Sequence, residues 1–76
     1  SGLLDVALVG GYVTKPSNGW YQRDGEDKKV RLAGTLEKEF WEPIFANTDF
    51  AEFIKAQYSI GLAQKVDMEE IVNAEV

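Results

Sequence analysis

The chain has 76 residues, with 8 Lys and Arg against 13 Asp and Glu, a formal charge of −5, and neither His nor Cys. That length suits one small domain, which buries only about 60% of its unfolded surface. The missing thiols and imidazoles exclude disulfides, thiolate metal sites, the commonest zinc ligand and the usual general base, so the composition argues against catalysis.

The sequence opens Ser1-Gly2 with no Met, which reads as a piece of a longer chain. Leu3, Leu4, Ala7 and Leu8 repeat at the spacing of one helical face, and Gly10-Gly11 is a natural stop because Gly accepts the left-handed conformation. A first helix over roughly Leu3 to Val9 follows. Tyr12 and Val13 are candidates for a short third strand, Lys15 is held extended by Pro16, and Ser17, Asn18 and Gly19 form a turn.

The next stretch, KPSNGWYQRDGEDKKVR from Lys15 to Arg31, carries the functional signal. It reads as a two-stranded hairpin that turns at Asp24-Gly25, with Glu26 and Asp27 extending the tip. With an odd loop, Trp20, Gln22, Lys28, Val30 and Leu32 share one face, and Tyr21, Arg23, Lys29 and Arg31 share the other. An even loop exchanges the partners.

Downstream, Thr35 is a candidate N-cap, and Glu37 and Glu39 suit the positive end of a helix dipole. Leu36, Phe40 and Ile44 lie on one face, with Trp41 and Phe45 beside it. Pro43 costs about 3 kcal/mol inside a helix, so a kink, a break near Glu42 or a start later than Thr35 is expected. Asn47 or Thr48 caps the next helix, whose Phe50, Phe53, Ile54, Gln57 and Tyr58 keep strict helical spacing up to Gly61. Asp67 and Glu70 form a capping box for a last short helix with Met68, Ile71 and Val72. The expected fold is α+β: a helix, the antiparallel hairpin with its optional third strand, then two or three helices packed on one face. Its expected core is Leu4, Leu8, Trp20, Val30, Leu36, Phe40, Trp41, Phe45, Phe50, Phe53, Ile54 and Tyr58.

Charge is unevenly spread along this framework. Lys15 to Arg31 holds five cations (Lys15, Arg23, Lys28, Lys29, Arg31) and three anions, a local +2, whereas Leu32 to Val76 has three Lys against nine acids. Within a Debye length of about 8 to 10 Å the local potential decides what a surface attracts. Lys15, Arg23, Lys28, Lys29 and Arg31, with Tyr21 to stack or donate a hydrogen bond, are therefore candidates for contacting a polyanion, neutralising roughly two to four phosphates. The same cations also suit a solvated edge that prevents strands from pairing with neighbours, and the residue pattern does not separate the two readings. Elsewhere the chemistry is bland. No Ser or Thr has a base to activate it, the acid pairs Glu37/Glu39 and Glu69/Glu70 are explained by helix dipoles, DGED lacks the ligand spacing of a calcium loop, and Gly10-Gly11 with Thr14-Lys15 does not make a phosphate loop.

The strings SGLLD and ALVGGYVTKPSNGWY, then FWEPIF, DFAEFIKAQYSIG and EEIVNAEV, resemble the C-terminal part of UvsX-type recombinases of T-even-like phages, relatives of RecA. The resemblance spans residues 1–76, and KPSNGWY and FWEPIF are its most specific pieces. It departs from the family in a shorter hairpin tip and in having no acidic tail after Val76. The resemblance implies a single C-terminal lobe of a phage recombination and repair protein, with no cofactor of its own. The ATP- and Mg-dependent core that performs strand exchange on single-stranded DNA, as a DNA-dependent ATPase, would precede Ser1. Implied partners are duplex and single-stranded DNA through the parent filament and other recombinase subunits; the alternative reading is a protein-interaction module in which the acidic helices from Thr35 to Val76 dock a recombination mediator or single-strand-binding protein. The implied setting is the cytoplasm of a phage-infected bacterium, with no membrane.

Overall fold

The structure, a computed structural model, describes residues 2–60. Helix α1 (Leu3–Gly10) leads into three strands, β1 (Val13–Ser17), β2 (Trp20–Arg23) and β3 (Lys29–Arg31). A 3-10 turn (Leu32–Leu36), helix α2 (Lys38–Asn47) and helix α3, described over residues 50–60, complete the order. The strands form one antiparallel sheet ordered β1-β2-β3. This is the expected α+β arrangement, and the optional third strand is real. The expected stop at Gly61 and the short helix from Asp67 lie outside the described residues.

Local chemistry explains the joints. Gly11 takes a φ of 80°, and the Tyr12 and Gly11 amides donate to the carbonyls of Ala7 (2.9 Å) and Leu8 (3.2 Å). This pair of bonds is a Schellman closure, and it turns the chain from α1 straight into β1. Pro16 sits where the β1–β2 register shifts, between Thr14 and Ser17. Lacking an N–H, it is tolerated at an irregularity on an edge strand.

Helix α2 begins at Lys38, later than Thr35, and runs unbroken through Pro43 to Asn47. Thr35 is not its cap. It lies buried in the 3-10 turn, its hydroxyl donating to the Leu32 carbonyl (2.6 Å), while its own carbonyl accepts the Trp41 indole N–H (2.6 Å). Thr48 joins α2 to α3 as expected: its hydroxyl donates to the Ile44 carbonyl (2.6 Å) and accepts the Phe50 amide (3.1 Å).

All three helices contribute to a core on one side of the sheet. Ala7, Val13, Phe40, Ile44 and Phe50 are buried, and Leu4, Val6, Leu8, Tyr12, Tyr21, Val30, Trp41, Phe53 and Ile54 pack around them. Phe50 is its hub, with ring centroids 4.8 Å from Tyr12, 5.2 Å from Phe45 and 5.9 Å from Trp41. Three expected core residues are exposed instead. Leu36 ends the 3-10 turn at 79% exposure, Tyr58 lies at 71%, and Phe45 touches Phe50 with one edge while 42% of it remains open. Trp20 also leaves the core, for a reason that determines the site.

Candidate nucleic-acid interface

The register of β2 and β3 pairs Trp20 with Arg31, Tyr21 with Val30 and Gln22 with Lys29. Directly opposed residues share a face of a pleated sheet. Trp20, Gln22, Lys29 and Arg31 therefore point one way, and Tyr21, Arg23 and Val30 the other. This overturns the parity expected from an odd loop. With Gln22 opposite Lys29, the next facing pair is Arg23 and Lys28, and the intervening Asp24–Asp27 is an even loop. A shift of one residue exchanges every side chain between faces.

The consequences fall on named residues. Tyr21, expected as the aromatic of the cationic patch, packs half-buried against the core beside Val30. Trp20, expected in the core, stands half-buried on the outer face.

Arg23 is not a free cation. Its guanidinium donates twice to the Glu26 carboxylate (Nε to Oε2 2.6 Å, Nη2 to Oε1 2.7 Å) and once to the Phe40 carbonyl (Nη1, 3.2 Å), and it lies 5.3 Å from the Phe40 ring centroid. The same contact holds the Glu26 carboxyl below the usual carboxylate range, chiefly through the hydrogen bonds from Arg23, and raises Arg23 itself, chiefly through those same bonds. Arg23 thus clamps the hairpin tip onto α2. The Gln22 amide adds a bond to the Glu26 carbonyl, and the Glu26 amide donates to the Arg23 carbonyl at 3.1 Å.

The other candidates divide by side. Lys28 lines a groove on the core side together with Arg23, Val30, Phe40 and the acids Glu37 and Glu39. Lys15 is exposed, with its ammonium 5.8 Å from the Tyr21 ring centroid.

Lys29 and Arg31 are brought together on the outer face, and Trp20 joins them. The Arg31 guanidinium carbon is 4.0 Å from the indole centroid, and the Lys29 ammonium is 5.2 Å from it. Arg31 faces Trp20 directly across the ladder, whereas Lys29 reaches it diagonally. Gly19 at the preceding turn takes a φ of 80°, and a Cβ there would stand 3.2 Å from Arg31 Nη1, so the bare turn leaves room for the guanidinium. Among the described residues, neither Lys29 nor Arg31 forms an ion pair. An aromatic face restrains a cation through its quadrupole without cancelling its charge. The outer face therefore presents two restrained cations that no acid neutralises among the described residues, where on the core side Arg23 is paired with Glu26. Trp20, expected in the core, is the aromatic that meets these two cations, and an even count of the Asp24–Asp27 loop places it there.

Among the described residues, no cluster of three or more carboxylates is placed to hold a metal ion, and no helix is long and apolar enough to cross a membrane.

Comparison with known proteins points the same way as the residue strings. Residues 1–54 match the family described as bacteriophage T4, recombination and repair protein, C-terminal domain. The whole chain aligns with the "Recombination and repair protein" of Enterobacteria phage T4 at 42% identity over 86 residues, spanning 21% of that relative. The chain thus covers about a fifth of the length of the curated relative it matches. No solved structure matches it.

Proposed function

We infer the role of this chain from its kin: it belongs to the family of the bacteriophage T4 recombination and repair protein C-terminal domain. Its function is to present the outer face of the β1-β2-β3 sheet to DNA as one lobe of a phage recombination and repair protein. The parent would be an ATP-dependent, RecA-like recombinase that acts on single-stranded DNA in the cytoplasm of the infected bacterium. ATP and Mg would belong to the parent's core and not to this lobe.

One observation carries this reading: Lys29 and Arg31 share a solvent-facing sheet surface, held by Trp20 and unpaired with any acid among the described residues. Two such charges give weak, sequence-indifferent and salt-sensitive affinity of the non-specific class. Lys15 and Lys28 reach the same nucleic acid only around the rim, and Tyr21 and Arg23 support the hairpin without touching the ligand.

The test is titration of labelled duplex at low salt. Changing Lys29 and Arg31 together to Ala is expected to remove most of the affinity, and changing Arg23 and Glu26 together to Gln is expected to leave it within about twofold, because that pair carries no net charge and releases few counterions. Equal binding by the Lys29/Arg31 double variant and the parent chain would remove the outer face from the account.

A second reading rests on a different surface. Trp41, Phe45 and Ala46 line an open apolar hollow on α2 between Lys38 and Glu42, next to the exposed Glu37 and Glu39. Such a face suits a protein partner, for which a recombination mediator or single-strand-binding protein is the family-implied choice. Chemical shift changes on adding DNA fall on residues 20–31 under the first reading, whereas a protein partner moves residues 37–46.

A further inference from the structure

The chemistry of the outer face goes further than "binds DNA". An exposed aromatic in a nucleic-acid site ordinarily offers its π-face to a base, and each stacked base gives about 5-fold or more in affinity. Trp20 is arranged differently. At 4.0 Å from the centroid the Arg31 guanidinium lies on the ring itself, and the Lys29 ammonium approaches at 5.2 Å. The ring is occupied by the protein's own cations.

What those cations gain is order. Arg and Lys side chains carry much rotamer freedom, and fixing each on binding costs affinity. A carboxylate partner would restrain them but also neutralise them, as Glu26 does to Arg23. An indole restrains them and leaves the full charge facing out. The Gly19 turn, with space for the guanidinium, and the Trp20–Arg31 register that puts ring and cation directly opposite belong to the same arrangement.

We propose that Trp20 is a positioning residue, holding Arg31 and Lys29 as a preformed two-charge fork for adjacent backbone phosphates, and that the face reads the sugar-phosphate chain and not the bases. The proposal rests on the DNA-binding reading above and adds to it the ligand group and the role of the ring. It implies indifference to base identity and to base presence. It also separates two quantities that a simple basic patch would lose together: the number of phosphates neutralised, set by Lys29 and Arg31, and the tightness with which they are held, set by Trp20.

The experiment uses the 76-residue chain and two labelled strands of equal length, one an ordinary single-stranded oligodeoxynucleotide and the other an abasic deoxyribose-phosphate chain. Fluorescence polarisation is recorded over a series of salt concentrations. Both strands are expected to bind within about twofold of each other, where one stacked base would separate them by about 5-fold or more. Trp20→Leu is expected to weaken both by about 3- to 10-fold, the freedom of one or two restrained side chains, with no change in the slope of log affinity against log salt. Lys29→Ala is expected to flatten that slope by about 0.7. Trp20→Phe keeps a smaller ring and should lose less than Trp20→Leu, which tests the ring even if the leucine variant folds poorly.

A clear preference for the base-bearing strand, or Trp20→Leu and Trp20→Phe variants that bind as the parent does, overturns the fork while leaving DNA binding intact. Absence of binding by the parent chain to both strands and to the labelled duplex overturns the DNA-binding reading itself, and the fork with it.

Discussion

The two faces of one small sheet use the same residue types for opposite ends. On the core side, aromatics meet aromatics, Phe50 is fully buried, and Arg23 beside Phe40 is matched by Glu26. On the outer side, Trp20 meets Arg31 and Lys29, with no acid paired to either among the described residues. Arg23 and Arg31 both lie against an aromatic ring and belong to adjacent strands of one hairpin, yet one is a clamp and the other a presented charge. Identity and spacing are nearly equivalent for the two. The partner, and therefore the net local charge, distinguishes them.

The comparison breaks most visibly in stability. Phe50→Ala is expected to cost about 3 to 5 kcal/mol, the range for a buried Phe with its cavity, which is a large share of what a domain of this size has. Trp20→Ala, on the half-exposed face, should cost about 1 kcal/mol or less, the size of a cross-strand pair. Urea midpoints of the two variants would measure the gap, and equal losses would show that the outer tryptophan is structural after all.

Gly34→Ala gives the next largest effect. A Cβ there would stand 2.8 Å from Val30 Cβ, an atom that no side-chain rotation can move aside. A loss of about 1 to 3 kcal/mol is expected, typical of overpacking, again read from denaturant midpoints.

The clamp can be tested with acid. Because Glu26 is held below the usual carboxylate range in the fold, it stabilises the folded chain at pH above its unfolded value of about 4.3. That contribution is lost as the pH falls through the lower folded value. Glu26→Gln should therefore destabilise the chain slightly near neutrality and reduce the steepness of its acid unfolding, measured by circular dichroism against pH. The Lys29/Arg31 double variant should leave that acid limb unchanged, since neither cation has a titrating partner among the described residues.

The smallest effect lies at the joint between β1 and α3. The Tyr12 hydroxyl donates to Asp49 Oδ1 at 2.6 Å, and chiefly that bond pushes its ionisation up to about 12. Stability from this bond is present below the unfolded tyrosine value of about 10 and fades as the pH rises toward 12. Ultraviolet titration should show a late-ionising tyrosine that disappears in Tyr12→Phe.

Much of this architecture was legible without coordinates, because it depends on short-range chemistry. The Gly after α1, the Asn18-Gly19 turn, the Thr48 cap and the helical spacing of Phe50, Phe53 and Ile54 each act within a few residues, and the structure carries all of them. Two expectations gave way to packing. Thr35 looked like a cap but is a buried link in a 3-10 turn, and Ala7, Val13 and Ile44, placed on helix faces or in a short strand but not in the expected core, lie buried at its centre.

The candidate face is different in kind. The amino-acid sequence determined that a cationic, aromatic hairpin exists, that its acids cluster downstream and that the chain carries no His or Cys chemistry. It did not determine which aromatic the cations meet. That was decided by the pairing of Gln22 with Lys29 and by the side of the sheet on which the three helices gather. The reason is geometric: side chains alternate with a period of two, so one residue in a loop moves a whole strand's side chains from water to core, and only the packed tertiary structure selects between the two registers.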